Sequence, residues 1–533
     1  MKSGLLGGLT ALVVVALNFL ASRFAGLPRI SFIIFDWLAR VLPGELLTFV
    51  IDTLVLVIDR LNLGPTSTVA KLVEQGAAIL LFALLGVIFG VILAGLARYN
   101  PARLVDYGMM GGLVIALLVV WILFSLPSPP VGPVISSVWV VLLFVLWGAV
   151  LGRLVRVAAA PHFEQPGALS RRQFLYLVGI GSFTIVASAL GVSLFAEEDE
   201  VSETGEGLET TEMVNAATTS GPAQSPPEQA LEARIPPVAG TRPELTSNRN
   251  FYRIDINTIP PRVDGETWRL EVGGLVNNPL QLSLDEVRAR PSVNQAITLE
   301  CISNRLGGDL IGTSLWTGVR LKDILAEAGL QESAQEVFIE STDGFYESVP
   351  MTDAMDERTL LVYAMNGEPL PVEHGYPLRI YIPNRFGMKQ PKWITRIEVI
   401  DHAGLGYWVE RGWSEEAIPP TTAVIDSVAN EEYDDQTGIV PVGGIAYAGA
   451  RGISKVEVQV DGDPWEEAEL RTPALSPLTW VQWRYAWTAQ LGQHTFRVRA
   501  YDGTGALQET ETAPPHPDGA TGIHSMVKTT PGP

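Results

Sequence analysis

The chain holds one cysteine and six histidines among 533 residues. A single thiol excludes an intramolecular disulfide, and it can build neither a zinc ribbon nor an iron–sulfur cluster. None of the histidines (His162, His374, His402, His494, His516, His524) falls inside a long apolar run, so no histidine-ligated haem is expected in a membrane span. No C-x-x-C-H haem motif, cytochrome domain or flavin signature occurs, so no haem or flavin is expected in this chain. Basic residues are also scarce, 37 against 58 acidic ones, for a net charge of −21. Nucleic acid as a partner is excluded, because its phosphates need clustered Lys and Arg. Residues 1–195 carry only 12 basic and 7 acidic residues, which leaves 25 and 51 for the remainder. The second part is therefore an acidic, soluble-type protein, and the first is mostly apolar.

A helical span needs roughly 20 apolar residues. Five runs satisfy this, at 4–22, 72–97, 109–126, 134–157 and 174–195, and predict an all-α transmembrane bundle over 1–195. Arg98 and Arg103 fall between the second and third runs, and Arg153, Arg156, Arg171 and Arg172 between the fourth and fifth. The loop after the third run is uncharged. Positive charge marks the cytoplasmic side, so the expected topology is a multi-pass cell-membrane protein with its C-terminal part outside the cytoplasm. The stretch 30–60 is apolar but carries Asp36, Glu45, Asp52 and Asp59. It is expected to lie on the outer surface or to re-enter as a hairpin. With no axial ligands in the spans, the membrane part reads as an anchor or docking surface.

Ser170-Arg171-Arg172-Gln173-Phe174-Leu175 resembles a twin-arginine export signal, here internal to the chain. Such signals serve domains folded around a cofactor before export. Residues 196–245 are acidic and rich in Ser, Thr, Gly and Pro, a composition that cannot repay ordering entropy and predicts a flexible linker.

From about 246 to 415, strand-like runs alternate with short helical ones, predicting an α+β domain with mixed sheets. Expected strands include 268–273, 296–302, 337–340, 360–364 and 378–382; expected helices are 284–290, after Ser283, and 321–328, stopped by Gly329. Cys301 ends a strand and opens a Gly-rich loop, a place from which a thiolate can point at a thiophilic metal. The alternatives are a nucleophilic thiol with a nearby His, or a buried inert one.

The run LECISNRLGGDLIGTSLWTGVRLKDIL (299–325), and LVYAMNGEPLPVEHGYPLRIYIPNRFGMKQPKW (361–393) after it, resemble the molybdenum-binding segments of the sulfite oxidase family. That resemblance implies a molybdenum–molybdopterin cofactor with Cys301 as protein ligand. It implies that His374 and Arg379, in H-G-x-P-x-R, hold the pterin and its phosphate, with Lys392 a second basic contact and Lys389 a further one. Gly375 and Gly387 would let backbone approach the cofactor. NFYRIDIN (250–257) resembles the family's cofactor-contacting N-terminal loop, pointing to Arg253 and Asn257. Asp343 and Tyr346, in STDGFY, fall where the family lines its substrate pocket. Arg305 is followed by Leu306, where animal sulfite oxidases have a second Arg. A sulfite site needs clustered positive charge, and only Arg253, Arg305 and Lys389 could supply it. Arg253, Arg305 and Tyr346, beside Cys301, are the expected catalytic set.

Residues 416–533 carry short strands and hairpin turns such as Asp461-Gly462-Asp463, predicting an all-β immunoglobulin-like sandwich. VEVQVDGDPW and PDGATGIHS resemble the family's dimerisation domain, which implies a homodimer. The expected activity is two-electron oxygen-atom transfer on a small molecule outside the cytoplasm, in either the sulfite-oxidising or the sulfoxide-reducing direction. Electrons would pass to a separate carrier. The rival reading is a non-catalytic extracytoplasmic binding or assembly protein that keeps the fold.

Overall fold

The computed structural model describes residues 2–61, 63–126, 132–159 and 234–530. The fifth expected span, the arginine-pair motif at 170–175 and most of the expected linker lie outside the described residues. The chain divides into two compact units.

The first unit is helical. It holds α1 (Lys2–Ala25), α2 (Ile30–Val41), α5 (Leu104–Ser125), α6 (Pro133–Ala159) and, from Ala70 on, α4 (Thr66–Leu96), together with Ile256–Ile259. Four helices, α1, α4, α5 and α6, are long and apolar enough to cross a membrane. Small residues let their backbones touch. A Cβ at Gly108 would stand 2.0 Å from the Gly148 carbonyl, and one at Gly7 would stand 2.0 Å from that of Gly86. Such close seams suit helices that cannot rely on a hydrophobic drive between them. Phe82, Phe144 and Trp147 fill the centre, and the Trp147 Nε1–H donates to Thr10 Oγ1 at 3.0 Å.

The second unit comprises Pro43–Val69, which contains α3 (Gly44–Leu61), and all the described strands. The apolar stretch 30–60 is thus two helices, broken between Val41 and Gly44 with a bend of 119°. One sheet runs β2 (Leu280–Ser283), β1 (Arg269–Gly274), β10 (Ile394–Ile400), β5 (Glu336–Ser341), β6 (Tyr346–Pro350). Its β1–β10 pair is parallel and the others antiparallel, the mixture expected from the sequence. Helices α7 (Leu284–Arg288) and α8 (Leu321–Ala328) pack Leu284, Val287, Leu321, Ile324 and Leu325 into the same core. Ser283 and Glu286 form a reciprocal capping box for α7. Gly329, at φ 73°, ends α8 in the left-handed region that favours glycine.

A second sheet runs β3 (Ser292–Glu300), β4 (Ile311–Arg320), β7 (Leu360–Met365), β8 (Glu368–Pro369), with β9 (Arg379–Tyr381) paired to β7. This sheet carries the site.

The C-terminal part is one seven-stranded antiparallel sheet. Its order is β11 (Thr422–Val428), β12 (Ile439–Tyr447), β15 (Val481–Thr488), β14 (Glu466–Leu470), β13 (Ile453–Val460), β16 (Gly492–Asp502), β17 (His524–Thr530). The sheet curls until β11 packs on β16 and β17. All-β architecture is as expected, with the strands in a continuous ladder. Trp480 and Trp483 are buried, and Trp465 is half-buried under Arg499, 4.3 Å from its ring.

Candidate functional site

Residues of β3 and β4 pair without interruption from Ser292↔Val319 to Glu300↔Ile311, so Cys301 is the first residue past the paired strand end. The Cys301 amide still donates to the Leu310 carbonyl at 2.9 Å. The loop between them is laced by Asn304. Its Nδ2 donates to Glu300 Oε1 at 2.9 Å, its Oδ1 accepts from the Leu310 amide at 3.0 Å, and its own amide donates to the Cys301 carbonyl at 2.9 Å. The thiol is thus presented from a rigid corner.

Cys301 is buried, and its Sγ lies 3.1 Å from Ser303 Oγ. Burial pushes the thiol's pKa up, with the Ser303 contacts opposing that. Glu300 beside it is also buried and is pushed up to about 7, chiefly by loss of solvent. Alone, this thiol stays protonated. Only a strong local positive charge, such as a metal ion, would hold it as a thiolate.

The basic residues converge on the far strands. His374 ends the 3-10 turn Val372–His374, and Gly375 follows at φ +116°. A Cβ at Gly375 would lie 3.1 Å from the Cβ atoms of both Arg379 and Lys392. Glycine here lets the two basic stems come together on either side of one backbone position. At Gly387 the corresponding space is bounded by the Tyr252 hydroxyl and the Glu300 carbonyl.

Arg379 is buried on β9. Its Nη1 donates to the His374 carbonyl at 3.1 Å, and its guanidinium sits 5.0 Å from the Trp316 ring centroid. Burial lowers its pKa to about 10, with Tyr252 opposing. No carboxylate pairs with it among the described residues. Lys392 donates to the Glu373 carbonyl at 3.1 Å and faces Asp255 at 3.4 Å, and burial lowers its pKa. Asp255 also takes Arg253 Nε at 2.7 Å. His374 Nε2 contacts the Asn248 carbonyl at 3.0 Å. Burial lowers the His374 pKa to about 3, and Lys392, Arg379 and Arg253 push the same way. That shared influence places Arg253, His374, Arg379 and Lys392 in one cluster, with His374 neutral at physiological pH.

The other expected residues have partners of their own. Lys389 is buried but neutralised, its Nζ 2.8 Å from Glu347 Oε1. Tyr346 donates to Glu410 and packs on Phe338 and Tyr407. Asp343 accepts from the Phe345 amide at 3.0 Å and is felt by Lys392. Arg305 lines a small cavity of about 20 Å³, room for roughly one water, with Arg242, Glu300, Asn304 and Tyr447. Its Nε is buried without a partner among the described residues. None of Arg253, His374, Arg379 and Lys392 lines that cavity. Asn257 belongs to the helical unit, where its Oδ1 accepts from Arg40 Nη2 at 2.7 Å and its carbonyl from Lys71 Nζ at 2.8 Å.

Sequence reasoning passed over Tyr252, Asp255 and Asn304. Tyr252 is half-buried and feels the charge of both Cys301 and Arg379, and loss of solvent around its phenol raises the pKa. Its place inside NFYRIDIN was the available signal.

A molybdopterin group needs one thiolate for its metal, which brings its own sulfur ligands, and cations for its phosphate. Among the described residues no three His, Cys, Asp or Glu converge to hold a metal, so the protein offers a metal Cys301 and little more. The buried Arg379, which meets no carboxylate among the described residues, is the cation such a phosphate would satisfy. The residues present fit the group.

The Oxidoreductase molybdopterin binding domain family matches residues 257–408. The chain is 32% identical over 177 residues to the "Uncharacterized oxidoreductase YuiH" of Bacillus subtilis, covering 33% of this chain and 87% of that protein. It is 31% identical over 301 residues to the mitochondrial sulfite oxidase of Rattus norvegicus, covering 48% of this chain and 55% of that one. Against the human mitochondrial sulfite oxidase it is 29% identical over 336 residues, 54% of this chain and 61% of the relative, so it spans little more than half the length of these enzymes. Among solved structures, the sulfane dehydrogenase SoxCD from Paracoccus pantotrophus aligns at 21% identity and a TM-score of 0.47, over 62% of this chain and 96% of that one. On the domain match and the identity across most of the Bacillus relative, the chain belongs to the sulfite oxidase family of molybdopterin oxidoreductases.

Proposed function

We propose that the protein catalyses two-electron oxygen-atom transfer on a small substrate outside the cytoplasm, in the manner of sulfite oxidase, and passes the electrons to a separate carrier. The observation that carries this is the pairing of a buried, single-thiol corner at Cys301 with a buried guanidinium at Arg379 that has no carboxylate partner among the described residues. When bound, molybdenum–molybdopterin supplies the oxo group and the two-electron change.

The chain's own part is positional and electrostatic. Cys301 would ligate the metal from the corner braced by Asn304. Arg379, Lys392 and Arg253 would hold the phosphate end, the first with a planar fork and the second as a point charge. Neutral His374 donates its Nε2–H to the Asn248 carbonyl, which leaves Nδ1 as an acceptor for a donor group of the cofactor. Phe251 and Trp316 wall the cluster against water, their rings 5.6 Å apart and edge-on. Tyr252, which feels the charge of both Cys301 and Arg379, would also lie near the group. Arg305 and Tyr346 remain candidates for the substrate side.

The helical unit serves as the membrane anchor, with the enzyme on the extracytoplasmic face and the 170–175 motif as its export signal. The curled β11–β17 sheet would be the surface through which two copies pair.

The test is molybdenum per full-length chain, purified in detergent from a host that makes molybdopterin, beside sulfite-dependent reduction of an artificial electron acceptor. The proposal requires a ratio near one that Cys301→Ser abolishes. A folded wild-type chain without molybdenum would leave the binding-protein reading instead.

A further inference from the structure

Helix α3 has two unlike faces. Thr48, Val55 and Ile58 are buried, and Asp52 on the same side feels the charge of His516 and Arg305. Its first residue, Gly44, sits so close to the Val409–Arg411 turn that a Cβ would stand 2.8 Å from Arg411 Cα. The other face shows Leu46, Phe49, Val50, Val57 and Leu61, each between 41% and 67% exposed. Their spacing of three, four and seven residues draws one stripe down a helix. A soluble protein rarely leaves such a stripe to water.

We infer that α3 is an interfacial helix, and that this stripe is the surface by which the catalytic unit sits in the headgroup–acyl boundary of a lipid bilayer. Chain reach carries the choice of occupant. Only residues 62–65 separate α3 from α4, which is long and apolar enough to span. Four linking residues reach at most about 17 Å even when fully extended. The first turn of α4 is fixed on the β-rich side too, where the Thr66 amide donates to Asp309 Oδ2 at 2.8 Å. The stripe therefore lies beside the point where α4 enters the membrane. A spanning orientation for α3 is disfavoured by its inner face, because a helix whose start is pressed on the Val409–Arg411 turn and whose Asp52 feels Arg305 and His516 cannot also be ringed by acyl chains. The same seating turns Asp52 inward, toward Arg305 in the loop that follows the metal ligand. This inference rests on α4 crossing the membrane.

The test uses the full chain in lipid nanodiscs, with an environment-sensitive fluorophore on Leu46→Cys, Phe49→Cys, Val57→Cys or Leu61→Cys, and on Leu84→Cys in α4. The wild-type chain, whose one thiol is buried, sets the labelling background. Phosphatidylcholine brominated near the headgroup or deep in the acyl chain serves as quencher. An interfacial helix sinks roughly 5–10 Å, so all four α3 labels should be quenched about twofold or more by shallow bromine and less by deep bromine. The Leu84→Cys label should respond to deep bromine. A depth that changes steadily along α3, or is deepest at its middle, would mean a broken span and overturn the inference. Silence at α3 with quenching at position 84 would mean that water or another protein covers the stripe, which overturns it while leaving the spanning of α4 intact. Silence at both would remove the spanning reading and the inference together.

Discussion

Replacing Arg379 by Met should separate what the residue does for the fold from what it does for the cofactor. Burial lowers the Arg379 pKa from 12.5 to about 10. At about 1.4 kcal/mol per pH unit, keeping the buried group charged costs roughly 3 kcal/mol. The sign follows from the depressed folded value. The charged form is the disfavoured one in the fold, so this penalty is present in full at every pH below about 10. Methionine removes it and keeps most of the apolar contact. Two losses oppose the gain: the guanidinium over Trp316 at 5.0 Å, about 1–2 kcal/mol when desolvated, and the hydrogen bond to the His374 carbonyl, about 1 kcal/mol. The terms nearly cancel. Cofactor-free Arg379→Met should therefore unfold in urea within about 1 kcal/mol of cofactor-free wild type, read from near-ultraviolet dichroism of protein made in a host lacking molybdopterin. In a competent host the same variant loses two charge-assisted hydrogen bonds to an anion, about 3 kcal/mol or more, and should retain molybdenum about a hundredfold more weakly. A cofactor-free variant destabilised by more than about 3 kcal/mol would refute the reasoning. That is the signature of a broken buried ion pair, and it would mean that Arg379 has an internal anionic partner.

Cys301→Ser should abolish bound molybdenum by elemental analysis while leaving far-ultraviolet dichroism unchanged, since it alters one atom in an already buried corner. His374→Gln should flatten the acid limb of stability: His374 titrates at about 3 folded and about 6.5 unfolded, so the wild type loses about 2 kcal/mol relative to the variant between pH 7 and pH 5. Equal urea midpoint shifts in the two proteins over that range would count against a buried neutral histidine. Lys389→Met should cost about 3–5 kcal/mol by stranding Glu347, and the double variant with Glu347→Leu should recover most of it in a thermal melt. Glu347→Gln should lower the KM for sulfite about tenfold, through release of the Lys389 charge, and leave the KM for a neutral sulfoxide unchanged; an unchanged sulfite KM would show that Lys389 does not act on the substrate.

Much of the site was legible because the chemistry sits in short segments with unusual residues. The unique Cys at a strand end, H-G-Y-P-L-R and the Lys392-Trp393 pair could be read in line, and the fold brings three of those basic side chains to one place. Local structure was equally legible where one residue decides it, as at the Ser283–Glu286 cap and at Gly329. What could not be read was partnership across the chain. Nothing in the sequence near Lys389 shows that Glu347, 42 residues earlier, neutralises it. Asn304 looks like an ordinary loop residue until Glu300 and Leu310 close around it. Asn257, four residues past Arg253, belongs to the helical unit and is held there by Arg40 and Lys71. In each case the deciding term is a long-range hydrogen bond or ion pair whose register the tertiary fold sets.

Those partnerships bear directly on the substrate. A dianion such as sulfite must be bound by positive charge that nothing else has taken. Arg253 and Lys392 share Asp255, and Asp343 also faces Lys392. The cluster's three cations therefore meet two carboxylates, and the excess is of the size one phosphate end would use. Lys389 is closed off by Glu347 at 2.8 Å. Arg305 lines a one-water cavity with the buried Glu300 and is faced from α3 by Asp52. Every cation that could have served sulfite is thus already opposed by a carboxylate or committed to the cofactor end. It is for this reason that Glu347→Gln is the informative change: it removes the carboxylate that Lys389 meets at 2.8 Å and alters neither Cys301 nor the cluster of Arg253, Arg379 and Lys392. If the binding of sulfite improves while that of a neutral sulfoxide does not, the native pairing of Lys389 with Glu347 is what sets the charge preference of the site.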